Sequence, residues 1–495
     1  WALAERLAAN HFLPGGEDAA ELDWLAGYAA LRAGRPQDAA RHFARLPTTD
    51  SGPITLSRSH YWQGRAAEAM GDATAAQAAY ARAAQHQSAF YGQLAAERIG
   101  APMDPALAVA GRGVETLPDW RGSALAENGV FQAGVWLIAA GQPGQGQRFF
   151  LHLAESAPPD DIARMARLMM ELHRPWDALR LAKAAAARGG VYPAAHFPLT
   201  GLERGDLGLP PELVMSIARR ESEFNHTVSS RAGARGLMQV MPGTAEQMAR
   251  QLGLPYELAR LTRDAAYNAR LGAAYLTGLR DRFGGSVALV AAGYNAGPGR
   301  SARWLDDFGD LRRAGPGGAD PVDWVEMIPF DETRTYVMRV AESLPIYRAR
   351  IAGRPVPIVP TWDLRGGGLM PVPKISPLVL ALSQRPPPTP PAVHAAARLA
   401  AQPAAPAGPA GPGRAADEAG SPLPSLPPAP QTIAPEPAPA SAIPAVQDAA
   451  AGNAPPVAVL QPGDGGAWPA APILERLSGG GYALPDGFAE ATATR

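Results

Sequence analysis

The sequence contains no cysteine. That excludes disulfides, thiolate-held zinc and cysteine nucleophiles, and it fits any redox compartment. Lysine is nearly absent: of the 45 basic residues only Lys183 and Lys374 are lysine. A P-loop needs a lysine directly after its glycines, and no such run occurs. Excess charge is also missing. The 45 basic residues meet 46 acidic ones for a net charge of −1, which leaves no electrostatic case for a nucleic-acid partner. No apolar run reaches the roughly 18 residues that a membrane-spanning helix requires. The 9 histidines are scattered, with no HExxH and no pair at ligand spacing, so no metal site is expected. A GxSxG elbow and a GxGxxG turn between strand and helix are missing too, and no cofactor is expected. The sequence opens on Trp1 rather than Met, so any signal peptide would lie outside it.

Proline and glycine are abundant, at 52 and 53 of 495 residues, but they are unevenly spread. The last 125 residues, from Pro371, hold 27 prolines and 32 alanines. Such a stretch has too few large apolar side chains to offset the entropy lost on ordering. Residues 353–495 are therefore expected to be a linker and a disordered Pro/Ala-rich tail.

Residues 1–200 carry a recurring pattern. Trp24-Leu-Ala-Gly-Tyr28 leads to Gly34-Arg-Pro-Gln-Asp-Ala39, and Tyr61-Trp-Gln-Gly-Arg65 leads to Gly71-Asp-Ala73. Trp136-Leu-Ile138 leads to Gly141-Gln-Pro143, and His173-Arg-Pro-Trp-Asp-Ala178 repeats the middle of the first. The turns at Gly34, Gly71, Gly141 and His173 are 37, 70 and 32 residues apart, a period near 35. That period predicts helical hairpins stacked as a solenoid.

Residues 201–352 read as a compact, mostly α domain without strand alternation. Pro210-Pro-Glu212 opens a helix, Thr244-Ala-Glu-Gln247 reads as a capping box, and Asp264 opens a helix striped with Tyr267, Leu271, Tyr275, Leu279 and Phe283. Gly284-Gly285 ends it, Ser286 caps the next, and a last helix follows Asp331. The whole chain is thus expected to be all-α.

Within helix 211–224, Leu213, Ile217 and Glu221 lie four apart, so Glu221 continues an apolar stripe at the helix C-terminal end. Burial and the negative end of the helix dipole both disfavour its charged form. A carboxyl kept protonated near neutral pH suits a general acid. On periodicity alone, the plainer alternative is a glutamate at a frayed helix end, paired with Arg219 or Arg220. Ser222 can hydrogen-bond the neighbouring carboxyl. A loop of mostly small residues, Ser229–Gly236, lets a ligand approach the backbone. Gln239 offers donor and acceptor to sugar hydroxyls and acetamides, and Met238 a soft apolar surface. Tyr294 and Asn295 end a helix, where a packed ring and a C-cap are the structural alternative. Glu223 points off the Glu221 face, so no clear second carboxylate accompanies Glu221, although ordinary glycosidases use two.

Four segments stand in order: Glu221-Ser-Glu-Phe224, Ala232-Gly-Ala-Arg-Gly-Leu-Met-Gln239 with Met241-Pro242, Ala292-Gly-Tyr-Asn-Ala-Gly297, and Ile328-Pro-Phe-Asp-Glu-Thr-Arg-Thr-Tyr-Val337. Together they resemble the catalytic domain of soluble lytic transglycosylases, lysozyme-like enzymes acting on bacterial peptidoglycan. Tyr61-Trp-Gln-Gly-Arg-Ala66 and Ala89-Phe-Tyr-Gly-Gln-Leu-Ala95 resemble the end of that family's superhelical α-domain. The resemblance implies a lysozyme-like fold with Glu221 as the single catalytic acid/base and Ser222 as its hydrogen-bonded neighbour. It also implies that Met238 and Gln239 line the glycan groove, that Tyr294 reaches toward the carboxyl with Asn295 on the same wall, and that Glu332 faces the site from the opposite side. One departure is Gly293, where the family usually has Ala. The implied reaction cleaves the bond from N-acetylmuramic acid to N-acetylglucosamine and closes a 1,6-anhydro ring. The implied partner is the peptidoglycan glycan strand, in the periplasm. A hydrolytic muramidase on the same fold, or a non-catalytic cell-wall-binding scaffold, are the alternatives.

Overall fold

A computed structural model describes residues 1–46, 52–313, 315 and 318–367; the expected tail beyond lies outside the described residues. The hairpin turns come first because they are local. At each of the four turns the backbone enters the left-handed region: Gly34 (φ 75°), Gly71 (77°), Gly141 (76°) and His173 (57°). The next residue then donates its N–H to a carbonyl five positions back, from Arg35 to Ala30, Asp72 to Ala67, Gln142 to Leu137 and Arg174 to Met169, at 2.8–3.0 Å. This is the Schellman closure of a helix C-terminus. The following helix starts at once on Pro36, Ala73, Pro143 or Pro175, where a missing N–H costs nothing.

The hairpin helices are α1 (Ala2–Ala9), α2 (Glu17–Arg32), α3 (Pro36–Phe43), α4 (Pro53–Ala69) and α5 (Ala73–Ala83). After α6 (Phe90–Ile99) come α7 (Gly129–Ala139), α8 (Pro143–Ala154), α9 (Pro159–Glu171) and α10 (Pro175–Ala187). A second repeat signature sits inside them. The first helix of three hairpins carries a glycine that receives an aromatic ring from the second: Gly27 meets Phe43, Gly64 meets Tyr80, and Gly134 meets Phe150. A Cβ on any of these glycines would fall 2.4–2.5 Å from the ring. The glycine lets the two helices approach until the ring fills the gap.

The array is not continuous. Where the turn spacing doubles, between Gly71 and Gly141, a hairpin is replaced by α6 and by 3-10 turns at Pro105–Ala108, Val114–Thr116 and Ala124–Glu127. The packing divides at the same place. Helices α7–α10 surround their own core of Phe131, Phe150, Ile162, Met165, Leu168 and Leu181. The core of the first two hairpins, with Trp62, Phe90 and Leu94, instead runs on into that of residues 202–364.

The latter part comprises α11 (Pro211–Ser222), α12 (Pro242–Gln251), α13 (Ala265–Phe283), α14 (Val287–Ala296), α15 (Pro298–Phe308), α16 (Pro321–Glu326), α17 (Asp331–Ala352) and α18 (Pro360–Arg365). Among the described residues there is no strand, only isolated bridges. Helix α17 is the axis: Val337, Val340, Leu344 and Tyr347 are fully buried. Asp264 caps α13 through the Tyr267 N–H and Ser286 caps α14 through the Leu289 N–H, as their types predict. Thr244 does not cap: α12 begins two residues earlier, on Pro242. Phe330 is the N-cap of α17, and Asp331 its first residue.

The sequence boundary at 352 also needs correction. The chain continues into α18, which buries Leu364. The Ser286 hydroxyl donates to the Leu364 carbonyl (2.5 Å), Arg348 pairs with Asp363 (2.8 Å), and the Thr361 hydroxyl donates to Glu97 (2.7 Å). Glu97 lies on α6, so this short helix ties the N-terminal hairpins to the later domain. Gln93 on α6 adds a hydrogen bond from Nε2 to the Glu342 carbonyl (2.7 Å), and the Phe90 N–H donates to the Glu342 carboxylate (3.0 Å).

Because the core crosses position 200, residues 201–367 alone should not reproduce the native domain. A 201–367 fragment is expected to bind ANS and lose the cooperative melt that a 1–367 fragment shows. Equal melting temperatures for the two would contradict a shared core.

Candidate active site

Helix α11 carries its apolar face, Leu213, Val214, Ile217 and Ala218, into the core and delivers Glu221 in its last turn. The chain then turns sharply through two left-handed residues, Glu223 (φ 53°) and Phe224 (φ 68°). Glu223 is spent on an ion pair with Lys183 of α10. Neither arginine neighbour pairs with Glu221. Arg219 turns away, its Nε donating to the His196 carbonyl (3.0 Å) while its guanidinium lies 4.5 Å from the Phe197 ring centroid.

The partner of Glu221 comes from α17: the Tyr336 hydroxyl donates to its Oε1 at 2.6 Å. Burial raises the Glu221 pKa to about 7; the Tyr336 hydrogen bond and the Arg220 charge oppose the rise, and the Glu332 carboxylate adds to it. The shift runs in the expected direction, toward the protonated form, with desolvation as its main cause. Burial, and then the charge of Glu221, hold the Tyr336 and Tyr294 hydroxyls well above the usual phenol range.

The remaining expected residues gather at the same place, but several act differently. The Ser222 hydroxyl donates to the Leu237 carbonyl (2.6 Å) and not to the Glu221 carboxyl, fastening α11 to the segment before α12. Met238 is fully buried, its side chain against Gly272 of α13, so its thioether is core and not a groove wall. Its backbone is what matters: the N–H donates to Asn268 Oδ1 (2.8 Å) and the carbonyl accepts from the Tyr294 hydroxyl (2.7 Å). Tyr294 is thus close enough to Glu221 to feel its charge, yet it bonds Met238 and packs 5.4 Å from the Tyr275 ring. Gln239 sits at φ 46° with Nε2 donating to the carbonyls of Gly236 (2.9 Å) and Val228 (3.2 Å). Asn295 Oδ1 accepts from the Thr333 hydroxyl (2.7 Å), joining α14 to the first turn of α17. Glu332, in that same turn, is exposed.

Two contributors were not recognised in the sequence. Tyr336 stands in the last of the four motifs, with no role read for it there. Asn268, fully buried on α13, donates to the carbonyls of Arg235 (2.8 Å) and Leu261 (3.0 Å) while accepting from Met238. Gly236 makes room for it: at φ 78°, a Cβ would lie 1.9 Å from the Leu261 oxygen. A polar side chain on the buried stripe of α13 was the available signal. Gly293 is also a packing choice, since a Cβ there would press on Phe283 and Leu279 at 3.1–3.2 Å.

Residues 203–314 match the family described as Transglycosylase SLT domain. This segment is similar to SLT-type domains. Over 288 residues the chain is 30% identical to a soluble lytic murein transglycosylase of Escherichia coli strain K12, covering 56% of this chain and 42% of that relative. A putative soluble lytic murein transglycosylase of Haemophilus influenzae is 36% identical over 164 residues, 33% of this chain and 26% of that one. Among solved structures, an inactive mutant of lytic transglycosylase Slt from Pseudomonas aeruginosa superposes with a TM-score of 0.55 at 28% identity, covering 72% of this chain and 57% of that chain. The 70-kDa soluble lytic transglycosylase of Escherichia coli gives 0.52 at 28% identity, over 70% and 55%. The chain spans less than two thirds of the length of each of these relatives. Glu221 and Tyr294 fall inside the SLT-domain match, whereas Glu332 and Tyr336 lie beyond its end.

Tyr336→Phe keeps the ring and removes the hydrogen bond that favours ionised Glu221. The Glu221 pKa should rise further. If the protonated form is the active one, the alkaline limb of the pH–activity profile should move to higher pH, by a shift readable in kcat. A limb that moves to lower pH, or stays in place, would contradict the bond's role.

Proposed function

We propose that this chain is part of a peptidoglycan lytic transglycosylase whose general acid and base is Glu221. One observation carries the reading: a mostly buried carboxyl with its pKa near 7, hydrogen-bonded to Tyr336 in an SLT-type domain. The substrate is the glycan strand, and the bond cut joins N-acetylmuramic acid to N-acetylglucosamine. Glu221 protonates the leaving oxygen as the C1–O bond breaks. The muramic acetamide oxygen bonds to C1 from the other side. Glu221, now a carboxylate, takes the proton of the 6-hydroxyl, whose oxygen displaces the acetamide and closes the 1,6-anhydro ring. Glu221 is protonated again, and no water is consumed.

In this scheme one carboxyl does both proton transfers, so a second need not stand at the 5–5.5 Å that retaining hydrolases require. Glu332 acts by its charge, keeping Glu221 protonated in the resting state and favouring positive charge at C1. The hydrogen bonds of Ser222, Asn268, Tyr294 and Asn295 hold the walls around the carboxyl, so that little reorganisation is left for the reaction. A periplasmic location follows from the substrate. Products from intact sacculi should end in 1,6-anhydromuramic residues, each lighter by one water than a hydrolytic end, as read by mass spectrometry. Reducing ends would assign a muramidase, and an absence of release a binding scaffold. De-N-acetylated strands should resist cleavage even at saturating concentration, since they lack the nucleophile.

Glu221→Gln should lower turnover by about 10²–10⁴-fold or more, because the amide transfers no proton. It should also change stability in a pH-dependent way. The folded pKa of Glu221 lies above the ordinary 4.5, so folding disfavours its ionisation. The stabilisation is fully present below about pH 4.5 and is lost as pH rises through about 7. The variant should therefore melt higher than the parent at pH 8, with the gap closing toward pH 4. A constant gap would mean that Glu221 titrates normally.

A further inference from the structure

Arg220 stands one residue before the acid and has no ion-pair partner among the described residues. Its Nε is buried with no hydrogen-bond acceptor. The other cations near this helix end are committed, Arg219 to the His196 carbonyl and Lys183 to Glu223. The Arg220 guanidinium lies 5.6 Å from the centroid of the Tyr336 ring, whose hydroxyl donates to Glu221 Oε1 at 2.6 Å. Cation, ring and carboxyl thus form one chain. A positive charge over an aromatic face is attracted by the ring and draws electron density from it. That makes the phenol a stronger donor to whatever its hydroxyl touches.

We infer that Arg220 is a positioning residue for the proposed reaction: through the Tyr336 ring it holds the hydrogen bond to Glu221 and stabilises the carboxylate formed when Glu221 gives up its proton. This rests on the reading of Glu221 as the acid. The groups facing that carboxyl are Arg220 on α11, Tyr294 on α14, and Glu332 and Tyr336 on α17. Burial and Glu332 both oppose ionisation, and Tyr294 spends its proton on Met238. Only Arg220 and the Tyr336 hydroxyl favour the carboxylate. Without them Glu221 would be protonated at rest but a weak donor, and proton transfer to the leaving oxygen would be uphill. An arginine placed over a ring, with no carboxylate of its own, keeps its charge available where a salt bridge would have neutralised it.

The test uses the full chain with soluble glycan strands, measuring kcat and KM from pH 5 to 9 together with thermal melting. Arg220→Met should move the alkaline limb of kcat upward by about one pH unit, the scale of losing a nearby opposite charge. It should lower the plateau kcat about threefold to tenfold, with KM changed less than twofold. Arg220→Lys should keep the limb near that of the parent, because the charge remains. Should the methionine variant fold poorly, Arg220→Gln provides the same neutralisation with a polar side chain. A parental limb in the neutral variants would overturn the inference, as would equal shifts in the lysine and neutral variants. Such a result with Glu221→Gln inactive would remove only the role of Arg220. An active Glu221→Gln enzyme would remove the acid itself.

Discussion

The fold depends on how one buried cation is satisfied. Arg350, near the end of α17, is 1% exposed and donates to the backbone carbonyls of Val109 (3.1 Å), Gly111 (2.8 Å), Arg112 (3.3 Å), Pro193 and Ala194 (3.2 Å each), and Phe197. Burial lowers its pKa to about 10, so it stays charged at neutral pH. Segment 109–112 is irregular, and 193–197 is a single helical turn, Pro193–His196, with the residue that leaves it; the carbonyls that such stretches leave over cannot stay bare inside a protein. The guanidinium needs acceptors and the segments need donors, so each holds the other in place. The first segment follows the N-terminal hairpins and the second follows α10. The cation therefore joins both halves of the repeat region to the helix that carries Tyr336 and Glu332.

Chemistry at Glu221 is a balance on top of that frame. Desolvation pushes the carboxyl toward its neutral form. One hydrogen bond and one cation pull it back, leaving its pKa at about 7, where the proposed acid and base role needs it. Residues that never touch the carboxyl preserve the balance by fixing backbone: Ser222 ties α11 to Leu237, Asn268 ties Arg235, Met238 and Leu261, and Asn295 ties α14 to α17. All are short polar side chains whose hydrogen bonds run between segments. None would keep the site's shape if its partner segment moved.

Three hairpin turns were legible because a glycine, with a proline two residues on or an aspartate cap directly after it, dictates geometry within a few residues; the fourth, at His173, was legible as a repeat of the first. The position of Glu221 was legible for the same reason, since a four-residue spacing places it on the buried face of its own helix. The structure brings Ser222, Met238 and Tyr294 close to Glu221, but with partners that the sequence did not reveal. A serine beside a glutamate satisfies itself on whichever acceptor the fold brings closest, and that proved to be a carbonyl fifteen residues away. The interrupted solenoid misleads for a related reason. A doubled turn spacing is compatible with one more hairpin, and only packing shows that α6 joins the later domain instead.

By itself the sequence determined the all-helical character, the places of the four hairpin turns, the apolar faces and a carboxyl aimed inward at the end of a helix. These follow from local stereochemistry and from periodicity, which need no knowledge of distant residues. Tertiary structure alone decided which tyrosine meets Glu221, which cation is left unpaired beside it, and how far the folded body extends past residue 352. Those outcomes depend on segments more than a hundred residues apart sharing one low-dielectric interior. There, each buried polar group must find a partner or give up its charge.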